Sequence, residues 1–445
     1  MKAHLIRCPA GFRGILAVVL LCAAVGESWA DLPGGLANSV APKQGAADSK
    51  ILTPAGIEER LLVNAVGALE AGRIDDAQEH LQELVAYRPD FRLAQLVYAD
   101  LLTARTRPLA RFGSLGTAHD NLEALKDEAL RRLVRFRDGP EGERLPDNLI
   151  LPSDDQRHVI VVDTRASRLY LFANENGRLQ LRTDYYVSSG KNGPFKLREG
   201  DQKTPVGVYF ITGWISPAKL PDFFGAGALP VNYPNEWDLR RGRTGYGIWI
   251  HGVPSDTYSR TPQASDGCMA LANNDLEMMW RLIPDPEVPV LISDGIRWVE
   301  RSLVDVRRGE VKTVIDAWRR DWESLDFERY SENYSKDFMS DGRTRAEWLR
   351  YKRRINAAKT FIRVDLTNLS TFGYPGEAEM LVVTFEQDYR SSNFQDRAKK
   401  RQYWRREADG RWRILFEGEA KFRKIHYRGM PYAVRANLTR LTPPR

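Results

Sequence analysis

The sequence predicts a multidomain α+β protein: an N-terminal helical region, a mostly-β central domain and a C-terminal α+β cone. Three observations carry this. Apolar residues recur at helical spacing from Ile57 to Ala104, alternate with polar ones from about residue 157, and beyond residue 308 form helices first and long strands last. A chain of 445 residues that is 42% apolar and 28% charged can bury real cores and is not a disordered polymer.

The first thirty residues stand apart. Lys2, Arg7 and Arg13 precede the apolar run ILAVVLLCAAVG, and SWA puts small residues before Asp31. That is the pattern of a secretory signal peptide, residues 1–30, cut after Ala30. A transmembrane helix needs roughly 20 apolar residues, more than this run holds. Leu21 before Cys22 argues against a lipoprotein site. The expectation is an exported, soluble chain. Residues 31–50, rich in Gly, Pro, Ala and Ser, read as a flexible linker.

Residues 51–150 are expected to be helical. IEERLLVNAVGALEAG, RIDDAQEHLQELVAY and FRLAQLVYADLLTA are broken at Gly72 and at Pro89, which cannot continue a helix. LEALKDEALRRLVRF adds a fourth. The first two resemble a tetratricopeptide-type pair, a single unit where a solenoid needs three or more repeats. A docking or homodimerisation module and a helical cap on the next domain both fit.

From 155 to 295 the pattern is that of strands. HVIVVDTRASRLYLFANENGRLQLRTDYYVSSG reads as successive antiparallel strands with turns at DTRAS and NENG. VGVYFITGW, YGIWIHGV and PVLISD add more, and NNDLEMMWRLI is a short helix with Asn273 or Asn274 as its cap. The loop 216–247 is long and dense in aromatic residues and arginine, as lids often are. Arg240, Arg241 and Arg243 are either carboxylate-binding groups or part of a solvated basic loop. Trp214 and Trp237 are core anchors or sugar-stacking platforms.

Residues 308–430 begin with two amphipathic helical stretches, 311–338 and 344–357. Strand candidates follow at 361–373, 378–391 and 398–420, the last broken by a hairpin turn at Asp409-Gly410. Helices followed by a curved meander resemble the SnoaL-like or nuclear-transport-factor-like cone. The net charge of +7 is uneven: residues 301–445 hold 32 Lys/Arg against 21 Asp/Glu. An anionic wall polymer or membrane surface suits such a region, as does a basic face with no partner, and export argues against nucleic acid.

The chemistry centres on HGVPSDTYSRTPQASDGCMAL, residues 251–271. Cys8 and Cys22 leave with the signal, so Cys268 is the one mature thiol. Exported proteins use cysteines in pairs, so a lone thiol is either an inert small hydrophobe or a working group. Acyl transfer through cysteine needs a base, a group that orients the base, and donors for the oxyanion. His251 ends the strand-like IWIHG; the Gly252 carbonyl can accept its second ring N–H and fix the tautomer. The backbone N–H groups of Gly267 and Cys268 are the candidate oxyanion donors. One Cys and one His fall short of a zinc site, and a redox pair lacks its second cysteine, so no metal or cofactor is expected. Spacing alone leaves a bystander pair open.

His251-Gly252 followed by Ser265-Asp266-Gly267-Cys268 resembles the signature of the YkuD-type L,D-transpeptidases. HVIVVDTRASRLYLF, VSSG, KTPVGVYFI and YGIWIHG match the family's preceding segments in order, over about residues 157–293. The resemblance implies Cys268 as nucleophile, His251 as base and the Gly252 carbonyl as orienting member. It further implies attack on the carbonyl after meso-diaminopimelate in a peptidoglycan stem tetrapeptide, loss of D-Ala and a thioester. An amine then gives a cross-link or attaches a wall-linked protein, and water gives a trimmed tripeptide. The commoner pattern has a second histidine before Gly-Cys and an arginine two residues after Cys. Here Asp266 and Ala270 stand there; with Ser265 of the signature and Arg243 of the long loop they are the candidate substrate contacts. These departures and the C-terminal cone are similar to a branch that includes L,D-carboxypeptidases shaping helical cells, in the periplasm. Transpeptidase and carboxypeptidase are the two leading expectations. A non-catalytic wall-binding scaffold is the third; intact His-Gly and Gly-Cys pairs argue against it.

Overall fold

The computed structural model describes residues 56–106, 113, 119–140, 143–283 and 287–420. The expected signal peptide and linker, and residues 421–430 of the expected C-terminal domain, lie outside the described residues. The chain forms two compact units. One holds the helices up to Arg137 together with Asp256–Thr261; the other holds Asp138–Ser255 and everything from Pro262 onward.

In the helical unit, α1 (Ile57–Glu70), α2 (Ile74–Tyr87), α3 (Arg92–Ala104) and α4 (His119–Asp138) stand where the apolar period puts them. Gly72 at φ +74° ends α1. Its N–H bonds the Leu69 carbonyl at 3.0 Å and the Arg73 N–H bonds that of Ala68 at 2.8 Å, a Schellman cap that a side chain at Gly72 would strain. Leu62, Leu69, Leu81, Leu84, Leu101 and Leu122 fill the core. Among the described residues no helix is long and apolar enough to cross a membrane.

The helical region ends earlier than expected. Arg144–Pro146 pairs antiparallel with Trp298–Glu300, and Leu151 bridges Thr371. Residues 144–151 therefore belong to the second unit, because their partners lie more than 150 residues away and no local period marks them.

The central domain is built on a five-stranded sheet in the order Arg178–Tyr186, Arg168–Glu175, His158–Asp163, Pro289–Ser293, Gly207–Phe210. The first three are the expected antiparallel run; Pro289–Ser293 lies parallel to His158–Asp163 and closes the sheet against Gly207–Phe210. A smaller sheet carries Ala228–Pro230, Trp249–His251 and Met269–Ala270.

Loop 216–247 carries short elements of its own. It contains Ala228–Pro230 and the short α5 (Glu236–Arg240), capped by a box between Asn235 and Asp238. Then come α6 (Asn273–Leu282), α7 (Arg301–Glu323), α8 (Phe327–Glu332) and α9 (Arg345–Asn356). The expected long helix 311–338 is thus interrupted: Leu325 sits at φ +61° and Asp326 caps α8 through the N–H groups of Glu328 and Arg329. The final sheet, Ile362–Gly373, Met380–Ser391, Phe394–Arg406 and Trp412–Glu419, is wholly antiparallel, with the hairpin at Asp409-Gly410 as expected.

The central sheet and the final sheet share one core. Val159, Phe172, Val208 and Leu291 from the first pack with Phe372, Val382, Tyr403 and Leu415 from the second, and Trp237 joins them. Its indole N–H donates to Glu377 at 2.9 Å and its ring stacks on Tyr403, so Trp237 is a core anchor. The excess positive charge lies mostly elsewhere: residues 421–445 hold seven Lys/Arg and no acid.

Candidate active site

The parallel register Ala270↔His251 brings the histidine strand beside the residues after Cys268. The Leu271 N–H donates to the His251 carbonyl at 2.9 Å, and Ala270 exchanges two 2.9 Å bonds with Ser188 of VSSG. Three sequence segments thus converge on one short ladder.

His251 is 1% exposed. Its Nδ1 lies 2.6 Å from the Gly252 carbonyl. A carbonyl only accepts, so Nδ1 carries the hydrogen and Nε2 is left as the basic nitrogen. Phe224 packs edge-on to the imidazole at 5.1 Å, with Phe223 at 6.1 Å. Phe224 also belongs to the apolar cluster with Ile215, Ala228 and Trp249 against which Cys268 packs. Imidazole and thiol therefore meet the same aromatic wall. Cys268 is half-buried and disulfide-free, and its Sγ lies 3.4 Å from the Gly247 carbonyl.

The turn before Cys268 is held from both sides. The Ser265 hydroxyl donates to the Cys268 carbonyl at 2.6 Å and accepts from the Gly267 N–H at 3.1 Å. Ser265 is therefore an organiser of the turn, where the sequence marked it as a substrate contact, and the Gly267 N–H is committed to Ser265 rather than to an oxyanion. Gly267 sits at φ +120°, where a Cβ would lie 2.7 Å from the Lys203 carbonyl. Thr204 of the KTPVG motif donates to the Gly267 carbonyl at 3.1 Å and accepts from Gly190 at 2.9 Å. That threonine is a positioning residue the motif flagged without a role.

Asp266 is exposed and paired with Lys191 at 3.0 Å and Gln202 at 2.9 Å. The carboxylate thus comes with a cation of its own. Ala270 is buried in the ladder and offers substrate no polar atom. Arg243 is engaged elsewhere: it bonds the buried Asp238 at 2.9 Å and lies 3.8 Å from Glu377. Arg240 donates to the Leu415 and Asp337 carbonyls. These two arginines tie α5 to the C-terminal domain, a role invisible without their distant partners.

Asn273 is the residue that sequence reasoning misplaced. Neither Asn273 nor Asn274 caps α6, whose N-cap is Ala272 with no side-chain bond. The Asn273 amide instead accepts from the Ala226 and Val253 N–H groups at 2.9 and 3.1 Å and donates to the Val253 carbonyl at 2.9 Å. It clamps the phenylalanine loop to the residues just after His251. Among the described residues no group of three His, Cys, Asp or Glu side chains is gathered for a metal ion.

The loop before KTPVG carries an acid-sensitive latch. Asp201 is partly buried, which pushes its carboxyl up, but N–H bonds from Arg198, Leu197 and Lys203 and the Lys196 ammonium outweigh this and bring it to about 2. Its folded value is below the ordinary 3.8, so its stabilisation is present above pH 4 and lost as pH falls toward about 2. Protection factors of the Leu197 and Arg198 amides against hydrogen exchange should fall over that window, and Asp201→Asn should remove the dependence.

The L,D-transpeptidase catalytic domain model (YkuD) matches residues 157–299, and the Cds6 C-terminal NTF2-like domain model matches residues 310–418. Among solved structures the chain is similar to Bd1075 of Bdellovibrio bacteriovorus, at 30% identity over 63% of this chain and 99% of that one, with a TM-score of 0.56. It is also similar to the helical cell shape determining protein Pgp2 of Campylobacter jejuni, at 27% identity over 61% of this chain and 96% of that one, with a TM-score of 0.52. No curated protein matches. The helices of the first unit lie outside both family models. With nearly all of Bd1075 spanned at that identity and both domain models matched in order, the chain belongs to the YkuD L,D-transpeptidase family, in the form that carries a C-terminal NTF2-like domain.

Proposed function

We propose that the protein is a periplasmic acyl-transfer enzyme acting on peptidoglycan stem tetrapeptides through a thioester at Cys268. The observation that carries this reading is the His251 Nδ1 bond to the Gly252 carbonyl, which leaves Nε2 as base beside Phe224, a member of the apolar cluster against which Cys268 packs. Nε2 takes the thiol proton, and Sγ attacks the carbonyl carbon that follows diaminopimelate. The tetrahedral oxyanion is met by the Cys268 backbone N–H. The bond to D-Ala breaks, the imidazolium returns its proton to the departing amine, and a thioester remains. An acceptor then attacks the thioester carbon, loses its proton to Nε2, and Sγ leaves.

The acceptor decides between transpeptidase and carboxypeptidase. Water is favoured by two observations: the Asp266–Lys191–Gln202 cluster where the commoner family pattern has a histidine, and similarity to a protein named for helical cell shape. The product is then a tripeptide. A basic C-terminal region fits an anionic wall polymer or a wall-linked protein as a further partner.

Mass spectrometry of a disaccharide-tetrapeptide incubated with residues 31–445 tests the assignment. Tripeptide as the main product supports hydrolysis, a dimer linked between two diaminopimelates supports transfer, and unchanged substrate in both directions of acceptor supply contradicts the reading.

A further inference from the structure

Between His251 and Cys268 the chain makes an excursion that the acyl-transfer chemistry does not use. Its middle, Asp256–Thr261 (DTYSRT), reads in sequence as an ordinary polar loop, yet it packs as part of the helical unit. Tyr258 is 3% exposed, with its ring 4.4 Å from that of Phe91 and the Arg88 guanidinium 4.8 Å over it. Its N–H donates to the Asp90 carbonyl at 3.3 Å, and Asp90 in turn holds Arg88 at 2.8 Å. One residue on, the Ser259 hydroxyl donates to Glu128 at 2.8 Å.

Glu128 is a costly partner. It is buried together with Arg132, which it pairs at 2.9 Å, and Glu59 stands 3.4 Å from the same arginine. Burial pushes the Glu128 carboxyl up, against the pull of Arg132 and Ser259. The Arg132 guanidinium also lies 5.2 Å over Phe91, so the ion group and the tyrosine seat form one structure. Buried charged groups of this kind are tolerated when fully bonded and are costly when a partner is lost.

The consequence follows from chain continuity. Six residues separate His251 from Tyr258, and only Pro262, Gln263 and Ala264 separate Thr261 from Ser265, the hydroxyl that holds the Cys268 turn. Pro262 and Gln263 are themselves fixed: the Ser189 N–H donates to the Pro262 carbonyl at 2.8 Å, and Gln263–Ser265 pairs with Ser189–Gly190. We infer that the helical unit is a positioning element of the enzyme, acting through Tyr258 and Ser259 on the segment that joins base to nucleophile. This inference rests on the acyl-transfer reading proposed above.

The test uses residues 31–445 with Tyr258→Ala, Tyr258→Phe and Ser259→Ala, and three readouts. Trypsin cleavage after Arg260 reports release of the segment. Alkylation of Cys268 by iodoacetamide at pH 7 reports the thiol and its base without any substrate. Turnover of the disaccharide-tetrapeptide gives kcat and KM. Tyr258→Ala should speed cleavage after Arg260, slow alkylation several-fold and lower kcat about tenfold, equivalent to roughly 1.4 kcal/mol of barrier, with KM little changed. Tyr258→Phe keeps the ring on Phe91 and should restore all three. Ser259→Ala should move them in the same direction by less, and it serves if Tyr258→Ala does not fold. Faster cleavage with unchanged alkylation and kcat would make the seat purely structural and overturn the inference, as would slower turnover without release. If the wild-type chain turns over no stem peptide, the acyl-transfer reading fails, while cleavage and alkylation still decide the positioning role.

Discussion

Cys268→Ala is expected to lower stem-peptide turnover by at least about 10³-fold, the scale on which a covalent step depends on its nucleophile, while the protein keeps its fold. The stability side follows from where the thiol sits. Cys268 is half-buried at the edge of the cluster formed by Ile215, Phe224, Ala228 and Trp249, and the turn beneath it is held by Ser265 and Thr204 rather than by sulfur. Removing Sγ forfeits a long contact to the Gly247 carbonyl and a little packing, within about 1 kcal/mol. A melting temperature near that of the wild type, together with abolished product formation, is the expected pair of results. Loss of both would mean that the thiol is structural.

Gly252→Ala should also cost activity, less severely and by a different route. A Cβ at this position would stand 2.1 Å from the Asn273 Oδ1, 2.8 Å from the Ala226 nitrogen and 3.1 Å from the Phe224 carbonyl oxygen. Two of those three are backbone, and the third belongs to a side chain pinned by three hydrogen bonds. Nothing there can swing aside cheaply. The strand end has to shift, and with it the carbonyl that orients His251. We expect about 1–3 kcal/mol of destabilisation, typical of overpacking, and a fall in kcat of about 10²-fold, as misplaced catalytic groups produce. A thermal melt and steady-state kinetics on the purified variant measure the two. A folded variant with undiminished kcat would show that the Gly252 carbonyl does not orient the base.

The elements legible in the sequence were those specified locally. The helices α1 to α4 follow from the helical period and its breaks at Gly72 and Pro89, and the three strands from His158 onward from alternation and two turns. The hydrogen bond between the His251 ring and the Gly252 carbonyl is legible because it spans adjacent residues. What escaped depends on partners far along the chain. Residues 144–151 look like the tail of a helical region until Trp298–Glu300 arrives to pair with them. In sequence Ser265 and the Gly267 N–H look like substrate and oxyanion contacts, because their bond to each other exists only in the folded turn. Arg243 resembled a carboxylate clamp, and its carboxylate turned out to be Asp238 of the same chain. Asn273 has the chemistry of a cap and is used as a clamp, since Ala226 and Val253 offer it better-placed backbone groups than its own helix does.

The proposed chemistry passes through a covalent acyl-enzyme at Cys268. Intact-protein mass spectrometry after rapid mixing with disaccharide-tetrapeptide and acid quenching reads it directly. The expected result is an adduct with the mass of the substrate less D-Ala, on the tryptic peptide containing Cys268 and discharged by hydroxylamine. D-Ala release with no adduct on that peptide, persisting in the Cys268→Ala variant, would contradict it.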